Sequence, residues 1–140
     1  YIGKIVMTLD KNFEGRVEIW YKDDRKNRKG VPNIITVEFD TKERKILRII
    51  NQERNSKIEP EIINIAQWNV DSDEAIDITR NTFNKLNDFE FTVAHLSVNK
   101  LYNDSKEKWS VNLFDEYSKK AYHLEIDVYT GEIYRNEIKE

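Results

Sequence analysis

The sequence predicts an α+β fold dominated by antiparallel strands, with one main helix at about residues 71–86. Apolar and polar residues alternate along most of the chain, as in Val17, Ile19 and Tyr21, and this pattern indicates half-buried strands. Apolar residues take a clear helical spacing in one segment, after Asp71. A segment of the second half also repeats a segment of the first half. Runs of strands beside a segregated helix are typical of α+β proteins.

The internal repeat relates residues 124–135 to residues 37–48, in which Glu, Asp, Ile and Arg recur in register. Each copy of a repeat is one supersecondary unit, so we expect two related antiparallel sheet units. Thr130 and Gly131 suit a tight hairpin turn, because glycine tolerates a positive φ. Arg44 occupies the position of Gly131 in the first copy. We therefore expect the first turn to have a different geometry or to be strained.

The alternating segments are predicted as strands, and the chain enters a strand almost at its first residue. Two polar stretches, Asp23–Asn33 and Asn103–Lys108, are predicted as hairpin loops. The predicted strands are residues 16–22, 35–40, 46–50, 94–98, 109–113, 122–128 and 132–136.

The main helix has a clear start signal. Asp71 and Glu74 form a predicted capping box, in which the Asp71 side chain accepts a hydrogen bond from a first-turn amide and Glu74 reaches back. Residues at spacings of three and four continue the pattern to Leu86. Residues 57–70 connect the halves, and their apolar residues, with Trp68, predict packing against the core. The pattern fits either an extended connector or one with a short helical turn.

Composition excludes several classes of function. The net charge is −3, from 26 acidic and 23 basic residues that are interspersed, which argues against a nucleic-acid partner. The absence of cysteine excludes disulfides, thiol catalysis and cysteine-ligated zinc. No apolar run approaches the roughly 18 residues of a membrane-spanning helix. Because the chain begins at Tyr1 and enters a strand at once, we expect an export signal or anchor ahead of it.

The chain resembles the PepSY domain in three stretches that follow one another in order. They are residues 68–76, which include Asp-Glu-Ala-Ile, the tryptophan-containing strand at 109–111, and residues 126–133 with Thr-Gly-Glu-Ile. In that domain an Asp-Glu-Ala-Ile helix precedes strands that end in an Asp-x-x-Thr-Gly-Glu-Ile hairpin. The resemblance covers about residues 68–135. Residues 16–48 resemble a degenerate second copy that lacks the Thr-Gly pair.

The resemblance implies a small extracytoplasmic module of exported proteins and lipoproteins of Gram-positive bacteria. Its tandem form is similar to the architecture of beta-lactamase-inhibitor protein. It implies a first half at residues 1–56, whose helix would lie ahead of Tyr1, a connector at 57–70 and a second half at 71–140. It also implies a cell-surface location with a membrane anchor in the full-length protein, a regulatory or inhibitory role, sometimes in peptidase propeptides, and no catalytic residues.

One group of side chains could bind a metal ion. His123, Glu125 and Asp127 project from one face of a strand, and His95 could join them. Alternate residues of a strand lie ~7 Å apart, however, and that spacing is wide for ligands of a single ion. We therefore expect the solvated face of a sheet, with no metal and no other cofactor.

Two carboxylate pairs could be assigned to acid–base chemistry: Glu125 with Asp127, and Glu38 with Asp40. Such chemistry requires a site that perturbs pKa values, usually through burial. We expect both pairs to stay solvated and to serve as scaffolding, since they recur in both copies. The sequence thus predicts a protein that is not an enzyme.

The predicted partner contacts are a basic loop and aromatic residues on polar strand faces. The loop could touch an anionic polymer or lipid surface, although a solvated loop is the simpler interpretation. Aromatic residues on a sheet face are either covered or form a contact surface. The candidate contact residues are Trp20, Arg25, Lys26, Arg28, Lys29, Phe114 and Tyr129.

The favoured function is a non-enzymatic, extracytoplasmic binding or regulatory module that contacts a protein or peptide through a sheet face or hairpin loop. It could regulate a peptidase. Membrane contact is expected only through an anchor. The main alternative is a structural spacer domain of a cell-envelope protein; a strict peptidase inhibitor and a metal-dependent enzyme follow in that order.

Overall fold

The computed structural model describes residues 1–26, 32–52, 61–83, 90–99 and 106–139. Within these ranges the chain forms an α+β fold of eight antiparallel strands and one α-helix, which confirms the predicted class. No helix in the same ranges has the length and apolar character needed to cross a membrane. The strands are Ile2–Asp10 (β1), Gly15–Lys26 (β2), Pro32–Asp40 (β3), Lys45–Gln52 (β4), Val93–Asn99 (β5), Lys108–Phe114 (β6), Ala121–Asp127 (β7) and Ile133–Lys139 (β8); the helix is Ser72–Phe83 (α1).

All eight strands belong to one sheet, in the order β4-β3-β2-β1-β5-β6-β7-β8. Each half of the chain is a meander that runs outward from the centre. The halves meet where β1 pairs with β5, from Lys4 opposite Asn99 to Asp10 opposite Val93. The two sheet units expected from the sequence are therefore joined edge to edge into one continuous sheet.

The core lies on one face of the sheet, which we call the helix side because α1 packs there. Ala75 and Thr79 of α1 are fully buried. Phe83 of α1 packs against Tyr122 of β7, with ring centroids 6.3 Å apart. Apolar positions of neighbouring strands are paired directly and share this face, as Ile5 does with Ile19. In β3, however, burial differs from the predicted alternation: Thr36 and Glu38 are buried, whereas Val37 and Phe39 are only partly buried. The opposite face is called the far side.

The capping box at the start of α1 forms as predicted. The Asp71 carboxylate accepts hydrogen bonds from the backbone amides of Asp73 (2.9 Å) and Glu74 (3.0 Å). The Glu74 side chain accepts one from the Asp71 amide at 3.2 Å. These bonds satisfy donors that a helix N-terminus leaves unpaired. The helix begins at Ser72, and the last three residues predicted for it, 84–86, lie outside the described residues.

Two connecting segments differ from the simplest expectation. Residues 23–26 extend β2 where a loop was predicted, because pairing with β3 continues through Asp23 and Asn33 to Lys26 and Pro32, across a bulge. The connector contains a short 3-10 helix, Ile65–Gln67, so its described part has the helical turn that the sequence left open. Residues 27–31, 53–60 and 100–105, which hold the rest of these predicted segments and most of the second loop, lie outside the described residues.

The β3–β4 and β7–β8 turns both contain a residue with positive φ. Gly131 has φ 74° and Arg44, its counterpart in the repeat, has φ 52°. A side chain at position 131 would meet only ordinary contacts, 3.5 Å from Ile78 and Val70. The backbone conformation, rather than space, therefore favours glycine in this turn. Arg44 adopts the same left-handed region without that freedom, as the expectation of a strained turn implied.

We predict that Arg44→Gly raises the free energy of unfolding by up to about 1 kcal/mol. Removing the Cβ relieves left-handed strain, and the greater chain entropy of glycine offsets part of this gain. Lys42→Gly is the matched control in the same turn. It should lower stability by about 0.5–1 kcal/mol, because Lys42 has no positive φ to relieve. Urea unfolding of both variants checks the prediction, and equal losses would contradict it.

Candidate functional site

An open groove of about 450 Å³ lies on the helix side, between the first turn of α1 and strands β1 to β3. We call it the apolar groove, since most of its lining is hydrophobic. Its polar lining consists of Thr41, Asp71, Ser72 and Asp73. The floor is formed by Ile5, Met7, Leu9, Val17, Ile19 and Phe39, and the walls by Phe13, Ile65, Trp68, Ile76 and Trp109.

The groove exists because α1 covers one half of the sheet more fully than the other. Val111 of β6 and Leu124 of β7 are completely buried. Ile19 and Phe39, on the same face of β2 and β3, are only partly buried. Concave apolar surface of this volume is typical of binding sites.

The tryptophan wall of the groove is fixed by a buried carboxylate. Trp68 packs edge-on against Trp109, with ring centroids 5.6 Å apart and planes at 70°. The Trp68 indole N–H donates to Glu107 at 2.6 Å, and the Asn64 amide donates to the other carboxylate oxygen at 3.2 Å. Trp109 donates to the carbonyl of Val70 at 3.0 Å. These bonds hold the wall in place before any ligand arrives, which lowers the entropic cost of binding.

The rim of the groove beside α1 is acidic. Asp71 uses its carboxylate to cap the helix, and Asp73 lies exposed next to it. None of the described residues that line the groove is basic. Arg80 does not line the groove. Its guanidinium stacks on the ring of Phe13, 4.9 Å from the ring centroid, and donates a hydrogen bond to the Asn12 carbonyl at 3.5 Å.

Apolar surface continues from the groove toward the sheet edge. A hollow of about 420 Å³ shares Phe39 and Thr41 with the groove and reaches Ile46; its other lining residues are the charged Asp40, Arg44 and Lys45. Ile46 and Ile49 of the edge strand β4 are 62% and 64% exposed. A partner seated in the groove could therefore extend its contact along this edge.

The far side of the sheet carries a row of polar residues paired directly across five strands: Thr8, His95, Asn112, His123 and Glu137. Thr8 Oγ1 lies 3.2 Å from His95 Nδ1, and His123 Nδ1 lies 2.7 Å from Asn112 Oδ1. The His123 side chain is 12% exposed, so this part of the face is less solvated than expected.

The carboxylate pairs are not as solvated as we expected, and that prediction was wrong for one member of each pair. Glu38 is buried and accepts two hydrogen bonds of 2.6 Å from Arg48. These bonds lower the pKa of Glu38 against the opposing effect of burial. The repeat has a Glu and an Arg at the same spacing in both copies, and this recurrence is the sequence signal for the pairing of Glu38 with Arg48 across β3 and β4.

Asp127 is also buried, inside the β7–β8 turn. Burial alone would raise its pKa, but hydrogen bonds from the Tyr134 hydroxyl and from the Tyr129 and Thr130 amides outweigh burial, and the pKa is lowered. Burial also opposes the ionised form of Glu125, whose pKa is lowered by bonds from Lys108 and His123. These carboxylates are held in turns and ion pairs outside the apolar groove.

The predicted partner contacts are spread over the molecule. Trp20 lies on the far side of β2, where the Lys4 ammonium is 4.9 Å from its ring centroid. Phe114 lies at the end of β6, beside His95, and Tyr129 lies in the β7–β8 turn. Arg25 and Lys26 end β2, whereas Arg28 and Lys29 lie outside the described residues. The structure does not bring Trp20, Phe114 and Tyr129 together, and their contact role stays a prediction.

The structure brings only two of the candidate metal ligands together, His123 and Glu125, whose side chains are 3.4 Å apart. Asn112 separates His95 from His123 in the row across the sheet, and the Asp127 carboxylate is used by its own turn. Among the described residues, no group of three or more His, Asp or Glu side chains could hold a metal ion.

The comparisons with known proteins show the fold alone. A solved structure of a candidate lipoprotein from Clostridium difficile 630 is similar to this chain, with a TM-score of 0.66 and 12% identity. The similarity covers 99% of this chain and 82% of the other. No protein-family model matches the chain, and no curated protein matches it. The resemblance to the PepSY domain therefore gains no support from these comparisons.

We predict that the protein loses stability as the pH falls below about 4, the usual range for unfolded Asp and Glu. Glu38 and Asp127 have pKa values lowered by folding, so their contribution is present above the unfolded pKa and is lost as the pH falls through the folded pKa. Glu38→Gln and Asp127→Asn should each flatten this dependence, as measured by urea unfolding from pH 7 to acid.

The control for the pH prediction is Glu116→Gln, which changes an exposed side chain near the end of β6. It should leave the slope of stability against pH unchanged. Slopes in Glu38→Gln and Asp127→Asn that match the unaltered protein would show that the two carboxylates do not produce the dependence.

Proposed function

We propose that this chain is a non-enzymatic binding or regulatory module of an extracytoplasmic protein, and that its partner is a protein or peptide seated in the apolar groove. The observation that carries the proposal is the groove itself. It is open, largely apolar, acidic at one rim and lined by strands β1 to β3, helix α1 and the connector. Its described lining includes no histidine or basic group that could act with Asp71 or Asp73 in acid–base catalysis. This favours a binding site over an active site.

The module is further proposed to consist of two PepSY-like halves, at residues 1–56 and 71–140, joined by residues 57–70. The equivalent placement of the repeated segments supports this division, since each forms the hairpin between the third and fourth strands of its meander. In both hairpins an aspartate accepts hydrogen bonds from turn amides: Asp40 from Glu43, and Asp127 from Tyr129 and Thr130.

Paired side chains in the two hairpins also support the division. Glu38 lies opposite Arg48 in the first hairpin, and Glu125 lies opposite Arg135 in the second. The first pair forms a salt bridge at 2.6 Å, whereas Glu125 is bound by Lys108 at 3.1 Å. The second hairpin thus keeps the residues of the first with a different ionic partner.

The location is proposed to be the cell surface, with a membrane anchor in the full-length protein. Similarity of fold to a candidate lipoprotein of a Gram-positive bacterium supports this proposal. The absence of cysteine is compatible with an exported protein. If the partner in the groove were part of a peptidase, binding would regulate that peptidase. The alternative function is a structural spacer domain, which would bind no partner in the groove.

A photo-cross-linking experiment separates a binding module from a spacer. Benzoylphenylalanine is placed at Ile65, a groove wall residue, in the full-length protein in its own cells. The matched control carries the same group at Ile62, which has the same exposure (44% against 45%) but does not line the groove. We expect a discrete adduct from position 65 that is much weaker from position 62. The absence of any adduct at position 65 above the control level would favour the spacer.

A further inference from the structure

We infer that the apolar groove takes an amphipathic α-helix of a partner protein, with apolar side chains on the floor and a Lys or Arg residue at the acidic rim. This inference rests on the binding function proposed above and specifies the chemistry of the partner. It follows from the hydrogen-bonding state of the floor, the shape of the site beside α1 and the charge of the rim.

The backbone of the floor excludes an added strand. The floor belongs to β1, β2 and β3, and each of these strands is paired on both sides. Their amides and carbonyls are therefore already used within the sheet. A peptide lying in the groove must satisfy its own backbone hydrogen bonds, and an α-helix does so internally.

The site lies where a second helix would pack. Ser72, Asp73 and Ile76 of α1 form one flank, and the sheet forms the floor. A second helix placed there would pack on the sheet and against α1 at once, at the separation of about 8–10 Å that is usual between helices. Apolar residues at spacings of three and four would then meet the floor, as in other helix-in-groove complexes.

Charge decides which helix fits. Asp71 and Asp73 stand at the rim, and no described lining residue is basic. A basic residue of the partner would face these carboxylates, while an anionic lipid headgroup would be repelled. The exposed side of α1 carries Glu74, Asp77 and a single base, Arg80, which is already paired with Asp77 at 3.5 Å, so α1 of a second copy has no unpaired cation for the rim.

The probe is a fluorescein-labelled peptide of Leu and Lys, about 18 residues or five helical turns long, with Leu at helical spacing. One comparison peptide has the same composition in strict alternation, and another has Glu in place of Lys. Binding to residues 1–140 is measured by fluorescence anisotropy. We expect both comparison peptides to bind at least about tenfold more weakly, because one loses the apolar face and the other meets the acidic rim with like charge.

Two matched pairs of variants locate the binding. Asp73→Lys should weaken binding of the helical Leu–Lys peptide about fivefold, and Asp77→Lys, which makes the same charge change outside the groove, by less than about twofold. Ile65→Ser should weaken it by up to about tenfold through lost apolar contact, whereas Ile62→Ser should not. Urea unfolding confirms that each variant is folded before it is titrated.

Several results would overturn the inference. If the alternating peptide bound as tightly as the helical Leu–Lys peptide, the partner would not need to be a helix. If the Glu peptide bound as tightly, the acidic rim would not select a basic partner. Equal effects of Asp73→Lys and Asp77→Lys would show that the peptide binds outside the groove. Binding of the protein itself to anionic phosphatidylglycerol vesicles that Ile65→Ser abolishes, self-association abolished by Ile65→Ser, or loss of peptide binding in a longer form of the protein would assign the groove to another occupant. If a specific cross-linked adduct at position 65 accompanied such a result, the proposed binding function would stand and only the inference of a helical partner would be rejected.

Discussion

The antiparallel pairing of β1 with β5 is the constraint on which the rest of the structure depends. Every other pair of neighbouring strands is also adjacent in sequence, whereas this pair joins residues 4–10 to residues 93–99. Closing so long a loop costs entropy, and the cost must be offset by burial along the central strands. Ala94, Leu96 and Val98 of β5 are fully buried, so the pairing lies at the centre of the core. Because Met7 lies directly opposite Leu96, and residues opposite each other point to the same face of a sheet, the apolar faces of the two meanders lie on the same side.

The central pairing also determines where the groove lies. The sheet is eight strands wide, and the one α-helix of the described residues packs against β7, where Phe83 contacts Tyr122. The floor over β1 to β3 is therefore less completely covered, and it is bordered by α1 and the connector. The tryptophan wall depends on Glu107, the residue just before β6, which accepts a hydrogen bond from Trp68 of the connector. The site is thus assembled from both halves of the chain, which explains why neither half alone suggests it.

Local features of this fold were predictable, and features set by distant residues were not. The capping box of Asp71 and Glu74 and the alternation of each strand depend on residues within a few positions, so the pattern carries them directly. The strained Arg44 was visible because the repeat supplied Gly131 for comparison. In contrast, the continuous sheet and the groove depend on β1 meeting β5, and the Glu107 bond to Trp68 joins residues 39 positions apart. The expectation that the carboxylate pairs stay solvated failed for a different reason. An alternating pattern assigns Glu38 to the polar face, but it does not show that Arg48 covers it.

The contrast between the two faces of the sheet bears on what the molecule can do. On the far side, charged and polar residues pair with one another: Glu38 with Arg48, and Glu125 with Lys108 and His123. Binding there would require breaking interactions that already satisfy these groups, and a lost partner for a buried charge is costly. On the helix side, the groove presents apolar surface whose burial is favourable and a carboxylate rim that remains in water until a cation arrives. A partner therefore gains more binding free energy on the helix side, even though the aromatic residues predicted from the sequence as contacts, Trp20, Phe114 and Tyr129, lie outside the groove.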